Sequence, residues 1–74
     1  MLLGITKIEA THIKTGHIYA VLGIAIDATN DRDGQLVVIY SREGKLFIRE
    51  LEEFKRKFKT DYKFAQAVNN AKGI

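Results

Sequence analysis

One apolar stretch, Ile18–Ile26, dominates the pattern of hydrophobic and polar positions, and it carries no charged side chain. Its isoleucine, valine and tyrosine content favours a β-strand. Side chains alternate between the two faces of a strand, and here both sets are apolar. One set is Ile18, Ala20, Leu22, Ile24 and Ile26, and the other is Tyr19, Val21, Gly23 and Ala25. A strand with one solvated face shows polar residues at alternate positions, so we predict a central strand that is covered on both sides.

Three further strands are predicted from shorter apolar or alternating runs. They are Leu2–Glu9, Gln35–Ser41 and Lys45–Arg49. The segments between strands carry turn-forming residues. These are the connector Ala10–His17 with its turn at Lys14–Gly16, the loop Asp27–Gly34, and the hairpin turn Glu43–Gly44. Short connections join antiparallel neighbours, so we predict a small curled sheet or an open barrel.

The spacing of apolar residues changes after residue 49. Leu51, Phe54 and Phe58 recur at intervals of three and four, which is typical of one face of an α-helix over Glu50–Phe58. Glutamates stand at the start of this segment and basic residues near its end, an order that complements the helix dipole. A second helical segment is predicted over Tyr62–Ala71. We expect the first helix to cover part of the central strand.

These elements predict a mainly β (α+β) fold, with a curled antiparallel sheet or small barrel of about four to five strands and a C-terminal helix. No repeat, low-complexity run or linker divides the sequence. We therefore predict a single domain over residues 1–74, with its helical segment at about residues 50–71.

The core of so small a domain is marginal. Seventy-four residues lie near the lower end of what folds alone, and without cysteine neither a disulfide nor a cysteine-based zinc site can stabilise the fold. The chain must use nearly all of its apolar residues or share a core with another copy. We therefore expect a homo-oligomer. Its interface is expected at the apolar residues left uncovered, namely Ile18, Leu22 and Ile26, or the similarly two-faced Leu36–Tyr40.

The net charge of +3 permits an anionic partner without requiring one. Lysine and arginine are concentrated in Arg42–Lys63. The longest apolar run is far shorter than the roughly 20 residues that span a bilayer. The N-terminus shows no charged region before an apolar stretch, so we expect no signal peptide, no membrane association and a cytoplasmic location.

The segment Thr29–Gly34 is similar to a calcium-binding loop of the D-x-D-x-D-G type. Thr29 stands where the first aspartate ligand is needed, and the twelfth position falls on Tyr40 instead of a bidentate glutamate. The flanking segments are predicted strands rather than helices. We interpret the segment as a polar hairpin loop and predict no metal site.

His12, Lys14 and His17 cluster around the first connector. A histidine can act as an acid or a base near neutral pH, but catalysis needs several groups within mutual reach. The chain has no cysteine, and no serine lies near either histidine in sequence. A spatial partner such as Ser41 stays open. We favour the interpretation that His12 and Lys14 bond backbone groups and fix the turn, and we rank an enzyme such as a small hydrolase last.

Aromatic and cationic side chains are mixed along the predicted sheet. The aromatic ones are Tyr19, Tyr40 and Phe47, and the cationic ones are Arg42, Lys45 and Arg49. Small barrels bind single-stranded nucleic acid or nucleotides with this mixture, because the ring stacks on a base and the cation meets a phosphate. The alternative is that the aromatics are core and the cations a solvated rim. We favour the core, because a small domain can spare few large apolar groups.

A basic stripe of Lys55, Arg56, Lys57 and Lys59 follows on the predicted helix. Such a stripe can dock on nucleic acid or on an acidic protein. More often it is the solvated face of a helix whose charges complement the dipole. We favour that second interpretation.

Several landmarks recur in a fixed order along the middle of the chain. They are His12-x-Lys14-x-Gly16, Tyr19-x-Val21-x-Gly23-x-Ala25, Thr29, Val37-Val38 with Tyr40, Gly44-x-x-Phe47-Ile48-Arg49 and Phe54. This order resembles a small domain-of-unknown-function family of bacteria and their phages, with an H-x-K-G-x-x-Y-x-V-x-G-x-A core followed by V-V-Y and W-V-R-P. The resemblance covers about His12–Phe54, over half of the chain.

The chain also departs from that family pattern. An extra residue precedes Gly16, Ile39 is inserted before Tyr40, Phe47 replaces a tryptophan, and Glu50 replaces a proline. It looks more like a phage-type relative than a bacterial one. The resemblance implies a compact SH3-like barrel with no established activity. It also implies a shared polar site at His12, Lys14, Thr29 and Arg49.

The first function prediction is a noncatalytic binding module of phage type that acts on a host protein or another partner. The alternative is an oligomeric sponge for a nucleotide-type signalling ligand, or a single-stranded nucleic-acid binder. The predicted ligand-binding residues are His12, Lys14, Thr29, Tyr40, Arg42, Phe47 and Arg49. We predict no catalytic residue and no cofactor, and we expect the host cytoplasm as the location if the protein is phage-encoded.

Overall fold

The computed structural model describes residues 7–28 and 34–72. Their elements follow the order β1 (Ile8–His12), β2 (Ile18–Asp27), β3 (Gln35–Arg42), β4 (Lys45–Glu50), α1 (Leu51–Lys57), β5 (Phe58–Lys59) and α2 (Tyr62–Lys72). The strands form one antiparallel sheet in the order β4-β3-β2-β1-β5. Within the described residues β4 and β5 are its two edges. The sheet is therefore open, and the predicted curled sheet with a C-terminal helix is confirmed.

The two helices cover one face of the sheet, which we call the inner face. Val38 is fully buried on this face and Val21 nearly so, while Leu51 and Phe54 of α1 and Val68 of α2 are buried against them. Both helices lie on one side, so no described element covers the opposite side of the sheet, which we call the outer face. The predicted cover by the first helix is confirmed for the inner face through Leu51 and Phe54, whereas Phe58 lies in β5 rather than on the helix.

Stacked and edge-on aromatic rings form the centre of the core. The rings of Phe54 and Phe58 stack with centroids 4.1 Å apart. Phe54 also contacts Phe64 at 5.4 Å and Tyr40 at 5.0 Å. Aromatic contacts of this kind contribute beyond their buried area. Phe54 therefore joins the sheet, β5 and α2 into one packed unit.

The predicted alternation along β2 is wrong beyond Val21, because a β-bulge interrupts it. Val21 pairs with Tyr40 and Gly23 with Ile39, so Leu22 is one residue more than β3 can match. An extra residue in one strand reverses the in–out pattern that follows it. The residues at 24 and 26 therefore point toward the inner face, while those at 18 and 22 lie on the outer face.

The first strand continues further along the chain than predicted. Most of Leu2–Glu9 lies outside the described residues, and the strand that the structure shows includes Ala10–His12, which had been predicted as connector. Ala10 pairs with Tyr19 and is buried. The sequence around Ala10 lacks large alternating apolar residues, so its strand conformation depends on pairing with β2 on one side and β5 on the other.

The predicted tight turns are found where left-handed backbone is needed. Glu43 and Gly44 both have positive φ, at 54° and 80°, which matches the two-residue hairpin geometry whose twist suits antiparallel strands. Gly16 closes the β1–β2 connection with φ 79°. Positions 29–33 of the predicted calcium-like loop, including Thr29, lie outside the described residues.

The cap at the start of α1 gives a first testable prediction. The Glu50 carboxylate accepts hydrogen bonds from the backbone N–H groups of Glu52 (3.0 Å) and Glu53 (3.1 Å). Glu50→Ala leaves these donors without the carboxylate, and we expect it to lower the free energy of unfolding by about 1 kcal/mol. Urea denaturation measures the change. Glu50→Asp should retain most of the stability, and an equal loss in both variants would contradict the capping role.

Candidate functional site

The predicted aromatic residues belong to the core rather than to a ligand site. Tyr40 is 3% exposed. Its ring stacks on that of Phe47 at 5.3 Å and meets the edge of Tyr19 at 5.4 Å. Phe47 is half-buried against the same cluster. The core interpretation of these rings is confirmed, and Tyr40 presents no open ring face on which a base could stack.

The two arginines of the predicted site are engaged within the protein. The Arg42 guanidinium lies 5.9 Å from the centroid of the Tyr19 ring and 3.4 Å from the Glu43 carboxylate. Arg49 donates from Nε to the Tyr40 hydroxyl at 3.1 Å and approaches the Glu53 carboxylate at 3.3 Å. The hydrogen bond to Tyr40 raises the pKa of Arg49, with a smaller contribution from Glu53, so its charge is fixed at every physiological pH. Arg49 therefore has a structural role on the inner face.

The turn between β1 and β2 is held by His12. Its Nδ1 accepts a hydrogen bond from the Thr15 backbone N–H at 3.3 Å and lies 3.1 Å from the Thr15 hydroxyl. The same hydroxyl oxygen accepts from the His17 backbone N–H at 3.2 Å. An acceptor at Nδ1 places the proton of the neutral ring on Nε2. The predicted turn-fixing role of His12 is confirmed.

A shallow cavity of about 200 Å³ opens beside this turn. We call it the basic cleft. It is lined by His12, Ile13, Lys14, Arg56 and Lys57. Two contacts build it: the Ile13 backbone N–H donates to the Lys57 carbonyl at 2.9 Å, and His12 pairs with Phe58 where β5 joins β1. These contacts fix the end of α1 against the β1–β2 turn.

The cleft concentrates positive charge. Among residues 7–28 and 34–72, the ion pairs are Arg42–Glu43, Arg49–Glu53 and Lys55–Glu52. None of them involves Lys14, Arg56 or Lys57. Like charges held close together repel and raise the local potential for an anion. The cleft is therefore a candidate anion-binding site with an apolar wall at Ile13.

The structure divides the predicted site residues between separate places. His12 and Lys14 line the basic cleft. Arg49 lies on β4, three strands from β1, which corresponds to about 14 Å at ordinary strand spacing. Thr29 lies outside the described residues. The predicted residues therefore do not form one site.

Arg56 and Lys57 are the charged cleft residues that the predicted site omitted. They were assigned to a separate basic stripe on the helix. What brings them to His12 is the pairing of β5, a strand of two residues, with the end of β1. A strand this short leaves no alternation to detect, although the basic run next to Phe58 was a signal that could have been tested against the histidine turn.

No family model, curated protein or solved structure matches this chain. The family resemblance of the central landmarks therefore stays a prediction. In the described part of the chain, neither helix is long and apolar enough to cross a membrane. The same residues contain no grouping of three or more acidic, histidine or cysteine side chains suited to hold a metal ion.

Proposed function

We propose that the protein is a noncatalytic binding module that captures a phosphate-bearing ligand in the basic cleft. The observation that carries the proposal is the set of three cations, Lys14, Arg56 and Lys57, that surround one cavity without an acidic partner among the described residues. A phosphate group supplies the negative charge that the described residues of the cleft lack.

The side chains of the cleft differ in what they offer a phosphate. Arg56 presents a planar fork of N–H donors that matches two phosphate oxygens at once. Lys14 and Lys57 act as mobile point charges from the turn and from the helix end. Ile13, which is 56% exposed, provides an apolar surface for a sugar or base attached to the phosphate. The cleft therefore suits a nucleotide or one unit of a nucleic-acid strand.

The exposure of these cations sets the expected strength of binding. Exposed ion pairs are weak singly and are screened by salt, so affinity should come from several contacts and fall as ionic strength rises. A free mononucleotide displaces few counterions, whereas a single strand that spans the cleft and the neighbouring Lys59 displaces more. The dependence of affinity on salt concentration therefore distinguishes a free mononucleotide from a nucleic-acid strand.

The test compares a cleft variant with a matched charge variant elsewhere. Lys14→Gln/Arg56→Gln removes two cleft cations, and Lys45→Gln/Lys72→Gln removes two lysines outside the cleft lining. Binding of inorganic phosphate, adenosine monophosphate and oligo(dT) is followed by NMR shift titration at low salt. We expect the cleft variant to weaken binding about tenfold and the control to change it less than about twofold.

Three outcomes decide between the possibilities. Saturable mononucleotide binding with shifts at His12, Ile13 and Lys57 supports a nucleotide site. Binding of oligo(dT) alone, with a steep loss in salt, supports a nucleic-acid strand. No saturable binding of any probe, or an equal loss in both double variants, overturns the proposal.

The interaction with a host protein stays a prediction of the same class, since it also needs a noncatalytic binding surface. The predicted oligomeric sponge also stays a prediction, because its ligand would lie between subunits. Within the protomer, Arg42 and Arg49 contact Tyr19 and Tyr40. We therefore place the phosphate at the basic cleft alone.

A further inference from the structure

The outer face of the sheet is apolar and open to solvent. Four large apolar side chains on this face are more than half exposed: Ile18 (56%), Leu22 (57%), Leu46 (70%) and Ile48 (69%). The register places further apolar residues of intermediate burial between them, namely Ala20, Ala25, Val37 and Ile39. A contiguous apolar patch of this kind on a small protein marks an interaction site.

We infer that the outer face is the interface with a second copy of this chain. Two sheets pack face to face about 10 Å apart through apolar side chains. A second copy brings a sheet of matching size and composition. Interfaces between identical chains are also the more apolar class, as this face is.

The extent of the face sets the expected strength of the dimer. Its apolar residues lie on three strands, β2, β3 and β4, which at about 4.8 Å spacing and about six residues of 3.4 Å each give roughly 300 Å² in projection. The accessible surface of a corrugated sheet exceeds its projection, but the face stays below the roughly 800 Å² per partner of a standard interface. The size of the face therefore suits a weak dimer rather than a tight one.

Charge on the outer face does not oppose self-association. Glu9 and Lys59 stand at the β1–β5 edge, and Asp27 stands at the end of β2. Between those ends, β2, β3 and β4 present apolar residues and Ser41. Gln35 and Glu50 lie at strand ends, and the Glu50 carboxylate caps α1. The cations of the basic cleft belong to a different surface. The charged side chains of the outer face therefore lie at its margins rather than within the apolar patch.

Gly23 provides an independent indication of close approach. It lies within β2, its φ is not in the left-handed region, and a Cβ added there would meet nothing within 4 Å. No steric contact in the protomer therefore excludes a side chain at this position, although glycine weakens a strand interior and is common at a β-bulge such as the one beside Leu22. Strand glycines also mark places where another backbone approaches closely. Its position beside Leu22 puts that approach at the middle of the outer face.

The oligomeric state tests this inference. Light scattering after size exclusion, with sedimentation velocity across micromolar concentrations, should show a dimer for the unmodified protein. Leu22→Lys/Ile48→Lys should raise the dimer dissociation constant at least about tenfold while circular dichroism stays that of a folded protein. The matched control is Tyr62→Lys, because Tyr62 is 72% exposed at the start of α2, away from the outer face. It should remain dimeric.

Gly23→Val tests the close approach by itself. The protomer has space for the side chain, and valine favours a strand, so the fold should persist. A side chain between two closely packed sheets should weaken the dimer at least about tenfold.

A monomer at all concentrations, or a dimer that survives Leu22→Lys/Ile48→Lys, overturns the inference. A face that associates with a different protein and leaves the chain monomeric also overturns it. If Gly23→Val dimerises as strongly as the unmodified protein, the close approach at this position is contradicted. Phosphate binding by the monomeric variant is expected to persist, so failure of this inference is distinguishable from failure of the proposed function.

Discussion

Phe54→Ala is expected to lower the free energy of unfolding by about 3–5 kcal/mol. Phe54 is fully buried, and its ring contacts those of Phe58, Phe64 and Tyr40. Replacing a buried phenylalanine by alanine has this cost because transfer free energy is lost and a cavity remains. A chain of this length is stable by roughly 4–11 kcal/mol in total. The loss is therefore a large part of that total and approaches all of it at the lower end of the range.

Chemical denaturation followed by circular dichroism measures this effect. Phe54→Leu keeps part of the packed volume and should lose less. Tyr62→Ala is the exposed control and should change the free energy of unfolding by no more than about 0.5 kcal/mol. A loss below about 1 kcal/mol for Phe54→Ala would contradict the central position of this ring.

The central strand and the helices could be predicted because their signals are local. Ile18–Ile26 lies within β2 as expected, and the spacing of Leu51 and Phe54 identified the buried side of α1. The exposure of two apolar residues of β2 was also predictable. Ile18 and Leu22 are apolar on a strand that one short helix cannot cover from both sides, and both are more than half exposed.

The β-bulge could not be predicted, because its cause lies in the register between β2 and β3. Nothing in the sequence around Leu22 shows that β3 supplies one residue fewer over this span. Consequently Ile26 was assigned to the same face as Ile18, and the structure puts it opposite Leu36 on the inner side. A one-residue change in register exchanges the two faces of everything beyond it.

The basic cleft has the same dependence on long-range pairing. His12 and Lys14 are two residues apart, so the sequence alone associates them with one turn. Their approach to Arg56 and Lys57 requires β5 to pair with the end of β1, and the contact spans more than 40 residues of chain. Periodicity detects which residues share a face of one element. It does not detect which elements meet.

Substitutions at two neighbouring positions of β3 test which residues lie on the inner face and which lie on the outer face. Val38 is fully buried beneath the helices, and Ile39 lies on the outer face opposite Ile48. Val38→Asp buries an unpaired carboxylate, and we expect a loss of more than about 4 kcal/mol, which abolishes folding. Ile39→Asp introduces the same carboxylate one residue further along β3. We expect it to cost the protomer only about 1 kcal/mol, since its carboxylate reaches water there.

Ile39→Asp also tests the proposed dimer interface. In a dimer through the outer face, the carboxylate of Ile39→Asp would be buried in an apolar interface without a partner, which costs free energy of association. The expected product is a folded monomer, seen by circular dichroism together with light scattering. A folded dimer of Ile39→Asp would leave the sheet register intact and exclude the outer face as the interface. Unfolding of Ile39→Asp with a folded Val38→Asp would instead show that the helices cover the opposite face, which would require a different register between β2 and β3.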